Sequence, residues 1–319
     1  MHSSTHSPRR IHAAAVVAFA ALLSGCANLV LYTHQDTSGD PSTWGQKQIY
    51  RMWTNGWFQT NISNRNRSEM AADVRDDGAK VVIQVFGGTI EVMNSDGSNP
   101  VAVPNVPNGA SWPRWSLGFP HYFLVYCDNP GSGHAAIWRV QEDGSQQAQI
   151  THPGPTQTDQ VADVLDNKHI VFDRFDSSNN YRGDLYLKYI WDNRPPVRLT
   201  NTPNLSESHP VISHDHTKVA YLASSGSGSV EVRVAGITTY SGLTPLYAFT
   251  LSPPASGVNI TGVDFTKDDS QLFISAEASD VPGTIINRKQ EVFRVNLDGS
   301  NQVRLTNNSD WDSQPSAVP

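Results

Sequence analysis

Three histidines and a carboxylate fall within eight residues: His209, His214, Asp215 and His216. Two imidazoles at i and i+2 beside a carboxylate offer nitrogen and oxygen donors to a divalent metal. The same stretch, SHPVISHDHTK, also reads as a strand followed by a turn between strands. In that reading His214 and His216 are solvated turn residues, and the turn is the expectation. A second set of groups is dispersed along the chain. It comprises the acids Glu69, Asp159, Glu207 and Asp312, the amides Gln160 and Gln314, the hydroxyl of Thr261, the imidazole of His209 and the indole of Trp112. Carboxylates, amides and an indole gathered at one opening would grip a peptide segment or a polar ligand. The plainer alternative is that acids such as Glu207 and Asp312 cap backbone N–H groups in their own turns.

Other chemistry lacks its signature. The chain has no G-x-S-x-G elbow, no H-E-x-x-H, no phosphate-cradling G-x-x-x-x-G-K and no clustered Cys/His spacing. No cofactor is indicated. The formal charge is −7 and no Lys/Arg cluster occurs, which argues against a nucleic-acid partner.

The first 26 residues read as processing information. Arg9 and Arg10 form a positive start, and Ile11 to Leu23 is an apolar stretch too short to span a bilayer comfortably. It ends in Leu23-Ser24-Gly25-Cys26, which resembles the bacterial lipobox. That resemblance implies a signal peptide over 1–25, acylation of the Cys26 sulfur, and a lipidated tether over 26–28 anchored on the periplasmic side. Ala at position 27, rather than Asp, implies the outer membrane. An ordinary secretory signal is the alternative, and the twin arginines are a poor match to a Tat signal. Loss of Arg9 and Arg10 would take the charge to about −9. Cys127 would then be the only other cysteine, so no intramolecular disulfide is available. It lies in the apolar run HYFLVYC and is expected to be a buried, inert thiol.

These groups need elements to hold them, and the elements repeat. An alternating apolar run ending in Asn-Gly or Asp-Gly occurs as QIYRMWTNG, TIEVMNSDG, AIWRVQEDG and EVFRVNLDG. Two degenerate copies are DLYLKYIWDN and VEVRVAGITTYSG. Alternation marks a strand with two different faces, and the glycine turns suit tight hairpins. A short strand follows each copy, most clearly VRLTN and QVRLTNN. A more fully apolar run precedes each (LVLYTHQ, KVVIQVF, HYFLVYC, HIVFDRF, KVAYLAS and QLFISAE), as expected of strands covered on both faces. Ahead of these comes a fourth element: SEMAADVRDDG, SWPRWSLG, QVADVLDN, SHPVISHDH, TGVDFTKDD and finally SQPSAVP.

Six such units at this spacing predict an all-β, six-bladed β-propeller over residues 29–319. The sixth unit is split. SQPSAVP at the C-terminus supplies its innermost strand and residues 29–63 supply the other three, so that the two ends of the chain close the ring and leave no open edge. Trp112 and Trp115 flank Pro113-Arg114, and the expectation is that one packs between blades while the other faces the channel.

The repeat resembles that of TolB-type propellers, roughly R-L-T-N, then D-x-x-P, an apolar strand, and I-Y-x-M-D-x-D-G. The best matches are Arg304-Leu305-Thr306-Asn307 with Asp312-Ser313-Gln314-Pro315, and Arg198-Leu199-Thr200-Asn201 with Glu207-Ser208-His209-Pro210. The resemblance implies a scaffold that binds a partner at the mouth of its channel. TolB itself carries an α/β domain ahead of the ring, and a first strand that starts about three residues after Cys26 leaves no room for one. The reading is therefore a lipid-anchored propeller binding a protein or peptide of the cell envelope through Glu69, Trp112, Asp159, Gln160, Glu207, His209, Asp312 and Gln314, without catalysis. The alternative also comes from resemblance, since oligogalacturonate lyases have similar repeats. It is a polysaccharide-binding or lyase-type enzyme with a metal at the axis, its histidines drawn from His209, His121, His134, His152 and His169.

Overall fold

The computed structural model describes residues 29–37, 45–117, 122–129, 134–226, 230–238, 242–251, 255–278 and 289–318. The leader, Cys26 and His121 lie outside them. The chain opens with β1 (Leu29–Gln35), β2 (Gln48–Trp53) and β3 (Thr60–Asn61). Blade 1 follows as β4 (Glu69–Val74), β5 (Lys80–Val85), β6 (Ile90–Asn94) and β7 (Val101–Ala102). Blade 2 is β8 (Ser111–Trp115), β9 (Phe123–Asp128), β10 (Ala136–Gln141) and β11 (Ala148–Gln149). Blade 3 is β12 (Gln157–Asp166), β13 (His169–Asp176), β14 (Arg182–Tyr189) and β15 (Val197–Arg198). Blade 4 is β16 (Ser206–Ile212), β17 (Lys218–Ser224), β18 (Val230–Thr238) and β19 (Gly242–Phe249). Blade 5 is β20 (Ala255–Phe265), β21 (Gln271–Ala278), β22 (Lys289–Asn296) and β23 (Val303–Arg304), and β24 (Trp311–Ala317) ends the chain.

The sixth sheet has the order β24-β1-β2-β3. Val30 pairs with Ala317 and His34 with Asp312, so the C-terminal strand is zipped onto the N-terminal one along most of its length. The inner strands β4, β8, β12, β16, β20 and β24 pack in succession around an axis, and β24 meets β4. The protein is a six-bladed β-propeller closed by its own termini.

Second strands carry the cores between blades because both of their faces are covered. Every residue of β9 is buried, and Val219, Ala220, Leu222, Leu272, Phe273 and Ile274 are nearly or fully inaccessible. One core, including Val211, Leu222, Val234, Phe265, Ile274 and Phe293, joins blades 4 and 5. Burying each such side chain contributes about 1.5–3 kcal/mol, so successive blades hold one another. The turns that follow the third strands are tight. At Gly97 the backbone has φ +87°, and an added Cβ would lie 1.8 Å from the Ile62 carbonyl oxygen of the closing blade, so this turn requires glycine twice over.

Candidate functional site at the propeller axis

Each inner strand breaks register with its neighbour near its middle. In four blades the residue at the break has a left-handed backbone: Ala71 (φ 51°), Trp112 (52°), His209 (54°) and Gln314 (52°). Val161 and Gly262 hold the equivalent place in blades 3 and 5. Non-glycine residues adopt this backbone only where surroundings enforce it, and here the bulge turns successive side chains toward the axis. With Thr261, the six line a constriction whose cavity of about 20 Å³ has room for about one water. Sizes alternate around it. Blades 1, 3 and 5 contribute Ala71, Val161 and Gly262, whereas blades 2, 4 and 6 contribute Trp112, His209 and Gln314. The Trp112 and His209 rings meet edge to face with centroids 5.4 Å apart.

The same alternation governs how the inner strands are held. Asp73, Asp163 and Asp264 of the odd blades accept backbone N–H groups of Trp115, Ile212 and Ala317 in the following blade, at 2.7, 2.7 and 2.8 Å. A second contact fixes each large bulge residue. Trp112 N donates to Gln84 Oε1 (3.4 Å), His209 N to Asp173 Oδ2 (3.0 Å) and Gln314 N to Ser275 Oγ (3.2 Å). The ring is thus built as three clamped pairs of blades. Gln314 also closes it, since its Oε1 accepts from Ala71 N and from the Thr33 hydroxyl, each at 3.1 Å.

Titration along the axis is displaced toward neutrality. Burial pushes Asp73 up to about 7 against the pull of Arg114, and pushes Asp173 to about 7 and Asp264 to about 6. Asp163 rises for the same reason. Among the described residues the Arg114 guanidinium makes no hydrogen bond and no close ion pair. Burial works against its charge, and the carboxylates of Asp73, Asp163 and Asp264 outweigh that and hold it protonated. Burial first, and Arg114 second, lower His209 to about 4, so its imidazole is neutral at physiological pH.

The four acids singled out in the sequence lie in the walls. Glu69, Asp159, Glu207 and Asp312 are each fully inaccessible. Glu69 takes Arg65 and Arg67 at 2.9 Å. Asp159 receives a two-pronged bond from Arg174, 2.6 and 2.8 Å. Asp312 meets His34 Nδ1 at 2.6 Å and Asn308 Nδ2 at 2.7 Å, and Glu207 sits beside Thr200 and Thr202. Trp112, His209 and Gln314, by contrast, are gathered at the constriction, and Gln160 is exposed. Trp115 is the indole that packs between blades.

His214 Nδ1 lies 3.1 Å from Asp269 Oδ1, and both His214 and His216 line a hollow at the axial end away from the mouth. His209 lines the constriction instead, so the three histidines are not brought together. His134 faces the Gln157 carbonyl and His169 faces Asp166, each at 3.0 Å, while His152 is exposed. Among the described residues no three His, Cys, Asp or Glu side chains are grouped to hold a metal. Cys127 is buried and free, its thiol pushed up to about 12 by burial.

Arg114 and the axial aspartates escaped the sequence reading although a signal existed. Odd repeats read A-D-V, A-D-V and V-D-F where even repeats read W-P, H-P and Q-P.

Solved structures match this arrangement over most of the chain. TolB from Acinetobacter baumannii superposes with a TM-score of 0.70 at 14% identity, over 94% of this chain and 69% of that one. This is a TolB-like propeller. The putative TolB from Agrobacterium tumefaciens gives a TM-score of 0.58 at 13% identity, over 90% and 91% of the two chains. An oligogalacturonate lyase in complex with manganese matches the TolB-like ring less well, with a TM-score of 0.51 at 13% identity over 82% of this chain and 70% of that one. At such identities the likeness is one of fold. No protein-family model and no curated protein matches the sequence.

Proposed function

We propose that this TolB-like propeller is a lipid-anchored, non-catalytic protein of the bacterial envelope, attached to the outer membrane through Cys26, and that it takes a protein or peptide partner at the mouth of its axis. The constriction carries the reading. Trp112, His209 and Gln314 stand on enforced bulges across the channel and form an aromatic and amide floor, beside the Arg114 cation, at the depth a bound segment would reach. A peptide would rest on this floor rather than thread the ring. Aromatic groups held rigidly in this way lose little entropy on binding and make strong anchors. The fold supports a protein-binding scaffold, and the mouth acids are buried in the walls, so binding there rests on Trp112, His209, Gln314 and the exposed Gln160. Glu69, Asp159, Glu207 and Asp312 shape the rim from within the walls.

The full chain, solubilised from membranes with detergent, should retain a reproducible envelope partner, and Trp112→Ala should release it while leaving the unfolding temperature close to that of the parent. Failure to retain any partner reproducibly would sink the reading. Stoichiometric manganese lost on replacing His209 or His214 would instead favour the lyase-type alternative. Variants at Asp312 or Glu207 make a poor test, because both carboxylates are buried structural groups.

A further inference from the structure

Two large aromatics stand where the fold elsewhere places a serine and a small amide. After the third strand of blades 1, 2 and 5 the turn reads Asp96-Gly97-Ser98-Asn99, Asp143-Gly144-Ser145-Gln146 and Asp298-Gly299-Ser300-Asn301. In each, the acid accepts the serine N–H at 2.8–2.9 Å, and the last residue is left-handed, with φ between 51° and 53°. The closing blade builds the same turn, with Trp57 N donating to Asn55 Oδ1 at 3.0 Å and φ 58° at residue 58. Its sequence there is Asn55-Gly56-Trp57-Phe58. Phenylalanine thus occupies a left-handed position that its equivalents give to Asn or Gln, at some cost in backbone energy. Trp57 and Phe58 are 67% and 65% exposed, and Phe58 packs on half-exposed Trp53 with centroids 4.6 Å apart. No charged residue occurs from Trp53 to Asn64, whereas the other three turns carry acids.

The tip's location points to its occupant. Leu29 pairs with Trp53, so the chain enters the ring beside this turn. Cys26 lies three residues earlier, within about 10 Å of extended chain. A lipid on Cys26 would leave the tip at the bilayer surface. There, uncharged Trp and Phe side chains partition into the interface, and a second contact converts marginal single-site anchoring into stable attachment. We infer that the Trp53–Trp57–Phe58 tip of the closing blade inserts into the lipid surface and orients the ring; the inference takes the Cys26 anchor from the proposed function. Leu29 and Trp53 lie at the end where β24 finishes, opposite the mouth where the inner strands begin. Docked by this tip, the ring presents its mouth away from the membrane.

The test uses the full chain extracted from membranes and reconstituted into phosphatidylethanolamine–phosphatidylglycerol vesicles containing brominated-chain lipid. Part of the tryptophan fluorescence should be quenched, and that part should vanish in W57S/F58N. Since two of the sister turns hold Ser-Asn, this variant should keep the parent's circular dichroism and melting temperature. Absence of quenching in the parent, or equal quenching in both proteins, would overturn the inference. Loss of self-association in the variant with quenching unchanged would assign the patch to a second copy of the chain. Intact mass reads acylation separately. If Cys26 carries no lipid the anchor falls, and the same protein added to preformed vesicles decides the tip: retained quenching upholds it, and none refutes it.

Discussion

Asp173 illustrates what burial does to a single residue at this axis. It is inaccessible to solvent, and its two oxygens accept Val161 N (2.8 Å) and His209 N (3.0 Å). Those bonds favour the carboxylate, yet desolvation outweighs them and lifts it from 3.8 to about 7. Between those values the folded chain holds a proton that the unfolded chain has released, so this group's contribution to stability falls as pH rises and levels off above about 7. Asp73 and Asp264 act with the same sign. His209 opposes them between about 4 and 6.5, where the unfolded chain binds the extra proton. Asp173→Asn removes one titration and keeps an oxygen acceptor. Relative to the parent, its urea midpoint should therefore improve steadily from about pH 4 to about pH 7 and level off above that. A difference independent of pH would refute the assignment. Asp159 tests the opposite situation. Its removal by Asp159→Ala strands the buried Arg174 guanidinium and should cost about 3–5 kcal/mol in chemical denaturation. Arg194→Ala breaks an exposed pair with Asp192 and should change stability by less than about 1 kcal/mol.

Elements here are defined as much by close approach as by strand propensity. The hairpin turns were legible because Asn-Gly and Asp-Gly dictate them, and the short outer strands because R-L-T-N recurs. What pattern alone did not reveal is that these turns touch the next blade. Gly97→Ala would face both a left-handed backbone and the Ile62 carbonyl, whereas Gly87, with φ +69°, has nothing within 4 Å of an added Cβ. Gly87→Ala should therefore cost only the conformational term, about 1–2 kcal/mol, and Gly97→Ala distinctly more. Equal losses in thermal or urea unfolding would show that the contact between blades yields freely. The inner-strand bulges were likewise invisible, because Ala71, Trp112, His209 and Gln314 share a backbone conformation and no side-chain type. The four rim acids were found by type and repeat position. Withdrawal of three of them into the walls depends on Arg174 and His34, which reach Asp159 and Asp312 from the neighbouring strands, and on Arg65 and Arg67 in the segment leading into Glu69.

As a whole, the molecule is a ring whose stability depends on closure. β24 supplies the inner strand of the closing blade and also meets β20 and β4, its neighbours on either side. A chain ending before Trp311 would leave β1 with an unpaired edge and open the cores shared with blades 1 and 5. It should lose cooperative unfolding and aggregate, as read by circular dichroism melting and sedimentation. A truncated chain that melts like the parent would mean that the clasp is dispensable. The three clamped blade pairs suggest that opening begins between pairs, which hydrogen exchange on β4 and β12 against β8 and β16 would resolve.

The sequence by itself determined the ring: the number of blades, the order of strands and the split closing unit all follow from periodicity, glycine turns and apolar runs, which are local properties of the chain. It also supplied the residues from which a site could be made. Only the tertiary structure decided which of them share a space. Trp112, His209 and Gln314 converge because alternate blades clamp their bulges, and Arg114 gains three aspartate neighbours from odd blades far apart in the chain. Distance between repeats is set by packing around the axis, and no local pattern encodes it.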